Sequence, residues 1–180
     1  MIDMFTDTVN YASATFPPPR PFQESAHRAL RDGFKAGHKN QLIMSPTGSG
    51  KTYLGHRIAH EALVKGRKVT FLCDRTTLIN QTSKAADAYG LAAHGIVQAN
   101  HWRRNTEMPY QIASAQTLAK RGYWPESDVI IIDEAHTQLK VWTEFIQTTK
   151  AACIGLSATP FSPGLGKLFT NLINATTMHD

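Results

Sequence analysis

Apolar positions recur along this chain in two periods. From Pro21 onward, Phe22, Ala26, Ala29, Leu30 and Phe34 repeat at helical spacing, and Gly37 offers a stop. Residues 41–45 form a short apolar run centred on Leu42, Ile43 and Met44, which reads as a first strand. Helical character returns over residues 50–64 and ends before Gly66. Residues 68–73 are of β-branched and aromatic type and read as a second strand, followed by helical spacing over 75–89 through Leu78, Ile79, Ala85 and Ala88. Short apolar runs follow at 92–97 and 110–114. Residues 129–132 are continuously aliphatic, 139–149 regain helical spacing, and 151–156 make one more strand. Unbroken aliphatic runs suit strands covered on both faces. Strands alternating with helices predict an α/β fold with a mainly parallel sheet and right-handed crossovers. In such a fold, chemistry collects at the carboxyl ends of the strands.

Polar clusters stand at those ends. The first strand runs into Ser45-Pro46-Thr47-Gly48-Ser49-Gly50-Lys51-Thr52, and a helix follows. Gly48 and Gly50 can adopt positive φ and turn N–H groups toward an anion, which the next helix N-terminus also favours. Lys51 would reach phosphate oxygens, and the Thr52 hydroxyl would ligate Mg²⁺. The generic phosphate-binding loop begins with Gly where this chain has Ser45. A Gly/Ser-rich surface turn is the bland alternative, and the strand–loop–helix order argues against it. The aliphatic run at 129–132 ends in Asp133-Glu134-Ala135-His136. Asp133 is placed to hold the metal and Glu134 to polarise a water against a γ-phosphate. The run at 151–156 ends in Ser157-Ala158-Thr159-Pro160.

Composition narrows the class without choosing the function. The 180 residues are 42% hydrophobic and 18% charged, an ordinary globular balance able to bury one sizeable core. A formal net charge of +5 is compatible with a polyanionic partner. Cys73 and Cys153 lie in apolar runs and read as buried free thiols of a reducing compartment. No run is long enough to span a membrane and no signal peptide is visible, so the expected location is cytoplasmic and membrane-free. His56 and His60 are four apart on one helix but lack other ligands at zinc spacing, so packing roles are expected. Trp102, beside Arg103 and Arg104 in a polar loop, suits either a nucleic-acid strand or a solvated loop with a partly buried indole.

Taken in order, Ser-Pro-Thr-Gly-Ser-Gly-Lys-Thr, Asp-Glu-Ala-His and Ser-Ala-Thr resemble motifs I, II and III of the superfamily 2 helicases and translocases of DEAD/DEAH type. Arg20-Pro21-Phe22-Gln23 resembles the upstream glutamine motif of that family. Phe71-Leu72-Cys73-Asp74-Arg75 with Leu78 and Gln81 is similar to motif Ia, and residues 113–118 resemble the next nucleic-acid-contact motif. The resemblance runs from about residue 20 to residue 161, and in that family Ser45 is a normal first loop residue. It implies a three-layer α/β/α RecA-like P-loop NTPase domain, with the strand at 151–156 between those at 41–45 and 129–132. It implies ATP and Mg²⁺ as cofactors. Gln23 would read adenine with Arg20 packing on the base, and Thr47, Gly48, Ser49, Gly50, Lys51 and Thr52 would hold the phosphates and the ion. Asp133 and Glu134 would be metal holder and water activator. His136, Ser157 and Thr159 would couple nucleotide state to movement. Arg75, Ser114, Gln116 and Thr117 would touch a nucleic-acid backbone, although an ordinary surface Arg and an ordinary helix start explain them equally well. The form of motif Ia favours DNA over RNA.

The organisation expected on this resemblance is a flexible or accessory lead-in over 1–19, the ATP-binding domain over 20–165, and a helix or linker over 166–180 toward a second RecA-like domain. The family's second domain supplies arginine fingers, so this chain alone is expected to bind ATP weakly and turn it over very slowly. The expected function is the ATP-driven motor domain of a DNA helicase or translocase. Alternatives are a restriction-type or remodelling translocase without strand separation, and a non-catalytic nucleotide-binding module.

Overall fold

The computed structural model describes residues 9–135, 137, 139–159 and 163–175, with backbone only for 139–142. Seven strands form one sheet: β1 (Asn40–Met44), β2 (Val69–Cys73), β3 (Gly95–Val97), β4 (Tyr110–Ser114), β5 (Val129–Asp133), β6 (Ala152–Ser157) and β7 (Asn171–Asn174). Their order is β3-β4-β2-β5-β6-β1-β7, and every adjacent pair is parallel. The strand at 151–156 does lie between those at 41–45 and 129–132. Among the described residues six helices flank them: α1 (Pro21–Lys35), α2 (Lys51–Val64), α3 (Thr76–Ala88), α4 (Ala115–Arg121), α5 (Leu139–Thr148) and α6 (Leu165–Leu168).

Alternation along the strands divides the core in two. Ile43, Phe71, Ile131 and Ile154 turn to one face and pack against Leu30 of α1, Leu54 and Ile58 of α2, and Ile79 of α3. Their sequence neighbours Leu42, Leu72, Ile130, Ile132 and Cys153 turn to the other face, under Leu118 of α4, Ile146 of α5 and Leu165 and Leu168 of α6. This is the three-layer RecA-like architecture. Burial on both faces is why these strands read as unbroken aliphatic runs.

Of the two forms expected for the lead-in, flexible or accessory, residues 9–19 have the packed character of the second: Tyr11 is 3% exposed and its hydroxyl donates to the Ala93 carbonyl at 2.6 Å, while the Phe16 ring stacks on Tyr89 at 4.8 Å. The segment straps α2 and α3. The helix or linker expected from residue 166 is replaced, over the described residues, by the end of α6 and then strand β7, which pairs Gln41↔Asn171 through Met44↔Asn174 with β1. Burying Ile173 against the sheet makes a strand the better solution there.

Both cysteines are buried free thiols, as expected. His56 and His60 pack rather than chelate. The His56 Nε2–H donates to the Thr82 carbonyl at 2.9 Å, so Nδ1 accepts from the Tyr110 hydroxyl at 2.7 Å. The His60 Nε2–H donates to the Tyr11 carbonyl at 3.0 Å. Burial holds the His56 pKa down at about 4.

Two outcomes follow from this packing. A Cβ on Gly55 of α2 would meet the Phe71 ring at 2.5 Å and Leu156 Cδ1 at 3.3 Å. Gly55→Ala is therefore expected to lower stability by about 1–2 kcal/mol, because overpacking outweighs the gain in helix propensity. An unchanged urea midpoint would contradict it. As pH falls below 6.5, an unfolded His56 takes up a proton that the folded ring refuses until about 4, so stability should drop across that window. The loss is at most roughly 3 kcal/mol. Urea midpoints between pH 7 and 4.5 should fall less steeply in His56→Gln than in the unmodified protein.

Candidate active site

The site is assembled at the carboxyl edge of the sheet from four turns. After β1, Ser49 N–H and Oγ–H both donate to the Pro46 carbonyl, at 3.1 and 2.5 Å, and Ser49 Oγ also hydrogen-bonds Ser45 Oγ. These bonds close the chain into a compact loop. Gly48 and Gly50 have φ of 77° and 87°, left-handed values that glycine adopts without strain, and Gly50 is the N-cap of α2. Lys51 and Thr52 are thus the first two residues of that helix, with their side chains at its positive end. Thr47 is exposed and Thr52 half-buried beside it.

The β5 turn faces this loop. Lys51 Nζ donates to Glu134 Oε1 at 2.6 Å, with the lysine side chain only 10% exposed. Glu134 itself has φ of 53°, a left-handed value uncommon outside glycine. Its amide donates to Asp133 Oδ1 at 3.0 Å, and the Ala135 amide donates to the Leu156 carbonyl on β6 at 3.0 Å. Asp133 is 8% exposed. Burial first, then the Glu134 charge, pushes its pKa up to about 6; Lys51 and the Glu134 amide pull the other way, and Asp74 adds to the rise. Carboxylates thus outnumber the one buried ammonium. The Asp133 carboxylate and the Thr52 hydroxyl are hard oxygen donors, the type that could hold a divalent ion such as Mg²⁺. No group of three or more His, Cys, Asp or Glu side chains is arranged to hold a metal among the described residues.

The third turn follows β6. The Ser45 amide donates to the Ser157 carbonyl at 2.9 Å, so this turn touches the first loop. The Ser157 hydroxyl donates to the Thr159 carbonyl at 2.9 Å and accepts from the Thr159 amide at 3.1 Å. His136 lies outside the described residues.

The fourth contribution, the start of α1, held a surprise. Gln23 is 5% exposed and clamps the phosphate-loop backbone: Nε2 donates to the Ser49 carbonyl at 3.0 Å, while Oε1 accepts from the Arg20 amide at 2.9 Å. Its amide also lies 2.7 Å from where a Cβ on Gly50 would sit. Sequence reasoning missed the contact with Ser49, because a contact across 26 residues leaves no periodic signal. The Arg20 side chain is exposed.

The residues expected to touch nucleic acid divide. The Arg75 side chain is 79% exposed, at the start of α3. Gln116 is exposed and Thr117 half-buried. Ser114 is fully buried, and its hydroxyl caps α4 by accepting from the Thr117 amide at 3.5 Å. The ordinary helix start is the role the structure gives that side chain.

Comparison with known proteins agrees with this fold. The family model described as "Type III restriction enzyme, res subunit" matches residues 16–162. The chain belongs to that family. A curated relative, the Escherichia coli Type I restriction enzyme EcoAI endonuclease subunit, is 28% identical over 162 residues, covering 79% of this chain and 19% of the relative. This res-subunit domain therefore spans about a fifth of that protein's length. Among solved structures, bacteriophage T4 UvsW aligns with a TM-score of 0.74 at 17% identity, over 89% of this chain and 35% of that one. The Sulfolobus solfataricus SWI2/SNF2 ATPase core in complex with dsDNA aligns at 0.70 and 16% identity, over 91% and 37%. At such identities the structural likeness establishes the RecA-like helicase-domain fold.

Removing the clamp tests its importance. Gln23→Ala is expected to weaken binding of a fluorescent adenine nucleotide by about fivefold, since the hydrogen bond to the Ser49 carbonyl, worth about 1 kcal/mol, stops holding the loop. Circular dichroism should be unchanged, and unaltered affinity would show that the loop holds itself.

Proposed function

We propose that this chain is the first RecA-like, ATP-binding domain of a DNA motor, most simply a translocase of the kind used by restriction enzymes. The observation that carries the reading is the 2.6 Å contact between Lys51 and Glu134, which joins two turns 83 residues apart at one edge of the sheet. In the proposed site, Thr47 through Thr52 hold the triphosphate, with Thr52 and Asp133 completing a Mg²⁺ site. Gln23 retains one amide N–H and one oxygen lone pair beyond its clamp bonds, the complement of an adenine edge. Arg20 packs beside the base.

Lys51 and Glu134 have linked tasks. Lys51, drawn toward phosphate oxygens, releases the Glu134 carboxylate to orient and deprotonate the attacking water. When bound, Mg²⁺ supplies charge neutralisation across the β- and γ-phosphates. Ser157, Thr159 and His136 relay the change toward a second motor domain, and Arg75, Gln116 and Thr117 lie on the DNA side. The restriction-enzyme relatives favour DNA as the track of the motor. The whole protein's activity belongs to this proposal, since the chain covers only 19% of the curated relative.

The deciding experiment uses the full-length protein. Glu134→Gln is expected to lower the ATPase rate by roughly 10²–10⁴-fold, the usual worth of a general base, while leaving nucleotide affinity within a few-fold. Equal hydrolysis by both proteins would refute the assignment, and absence of DNA-stimulated ATPase in the unmodified protein would favour a non-catalytic module.

A further inference from the structure

We infer that Trp102 is a base-stacking platform for unpaired nucleic acid, set on the β3 edge of the domain and extending the DNA path away from the α3 and α4 helix starts. The inference rests on the motor reading for the presence of nucleic acid, but it assigns a residue and a strand type that the motor motifs do not. Trp102 is 84% exposed, the most exposed large hydrophobic side chain among the described residues. A partly buried indole was one expectation from sequence, and the structure sets it aside.

Exposure alone would mean little, since single apolar side chains are common on surfaces. The loop that presents this one is tied at every step. The Ile96 amide donates to the Arg103 carbonyl at 3.1 Å, holding the loop against β3. Arg103 makes a two-pronged bond to Asp87 at 2.6 and 2.8 Å and a third to the Ala92 carbonyl at 2.9 Å. His101 meets Asn80 of α3 at 3.3 Å, and Arg121 of α4 donates to the Ala99 carbonyl at 2.8 Å. The loop is thereby fastened to α3 at Asn80 and, near its end, at Asp87, and to α4 at its last residue, Arg121. The indole is steadied by the His101 ring, 5.9 Å away and tilted 24°, and by the Arg103 guanidinium 5.4 Å from its centroid. An aromatic held out on an anchored loop loses little entropy on contact, which is the property a stacking platform needs.

Charge selects the occupant. Residues 75–123 carry six Lys and Arg against two Asp and Glu, which places most of the chain's +5 surplus on this part of the protein. The Arg103–Asp87 pair uses one of each sign. Exposed Arg104 and Arg121 remain, and with the half-exposed Tyr123 they line a hollow beside β3 of about 140 Å³. Aromatics interleaved with cations suit a sugar-phosphate chain with splayed bases. A duplex keeps its bases stacked on one another and offers the indole no open face.

The test uses the full-length protein, a fluorescent dT20 strand and the corresponding blunt duplex, read by anisotropy at fixed salt. Trp102→Ala should weaken dT20 binding roughly 5- to 150-fold, Trp102→Phe should restore most of it, and duplex affinity should change by less than about twofold. Adenine-nucleotide affinity should not move in either variant. Tryptophan fluorescence of the unmodified protein should be quenched by dT20, and in Trp102→Phe that quenching should be lost. Unchanged dT20 affinity in Trp102→Ala, or an equal loss on duplex, would overturn the stacking role while leaving the motor reading intact. Failure of the unmodified protein to bind any DNA, with ATP hydrolysis preserved, would overturn the stacking role and the DNA reading together.

Discussion

A buried ammonium at the wrong end of a helix is the constraint on which this structure turns. Lys51 sits in the first turn of α2, where the helix dipole already presents positive charge, and its side chain is 10% exposed. Nothing in the phosphate loop itself compensates it. Glu134 and Asp133 do, and both belong to a turn more than 80 residues away. For those charges to meet, the ends of β1 and β5 must lie on one edge, which only parallel strands joined by crossovers provide. With the lysine side chain 10% and the Glu134 side chain 28% exposed, removing either partner leaves a largely desolvated charge uncompensated. Fold and site are therefore bound to one another: the sheet brings the charges together, and the charges penalise any arrangement that separates the two strand ends.

The strands that build this edge were readable from sequence because burial on both faces leaves no polar residue to interrupt them, as at Ile130-Ile131-Ile132. The turn between β1 and α2 was readable because Gly48 and Gly50 mark positions that take a positive φ. What stayed hidden has physical reasons too. Strand β7 is four residues long and buries only Ile173, so no alternation marks it. Helix α4 is seven residues long, and Ser114, which caps it, is also the last residue of β4. The Gln23 clamp on Ser49 and the strap of Tyr11 over α2 are long-range contacts made by residues whose local pattern is unremarkable. Trp102 was visible as a residue, but its exposure depends on Asp87, Asn80 and Arg121 holding the loop from three directions.

The placement of Glu134 rests finally on packing as well as charge. Glycines on α2 and on β6 allow close approach on opposite faces of the sheet. Gly55 lets α2 settle onto Phe71 and Leu156, which fixes the helix that carries Lys51. Gly155, one residue before Leu156 and facing the other way, would place a Cβ 3.0 Å from Ala135 Cβ and 2.8 Å from Leu42 Cδ1. The turn bearing Asp133 and Glu134 can therefore sit down on β6 and donate the Ala135 amide to the Leu156 carbonyl. A side chain at either glycine would lift one half of the Lys51–Glu134 pair away from the sheet. Interiors are packed closely enough that a displacement of a few tenths of an ångström is transmitted rather than absorbed. The left-handed φ at Glu134 is compatible with this picture, since a residue held uncomfortably at a strand end persists only where its surroundings leave it no alternative. Two absent methyl groups, one on each face of the sheet, thus help to set the distance between the lysine and the carboxylate that faces it.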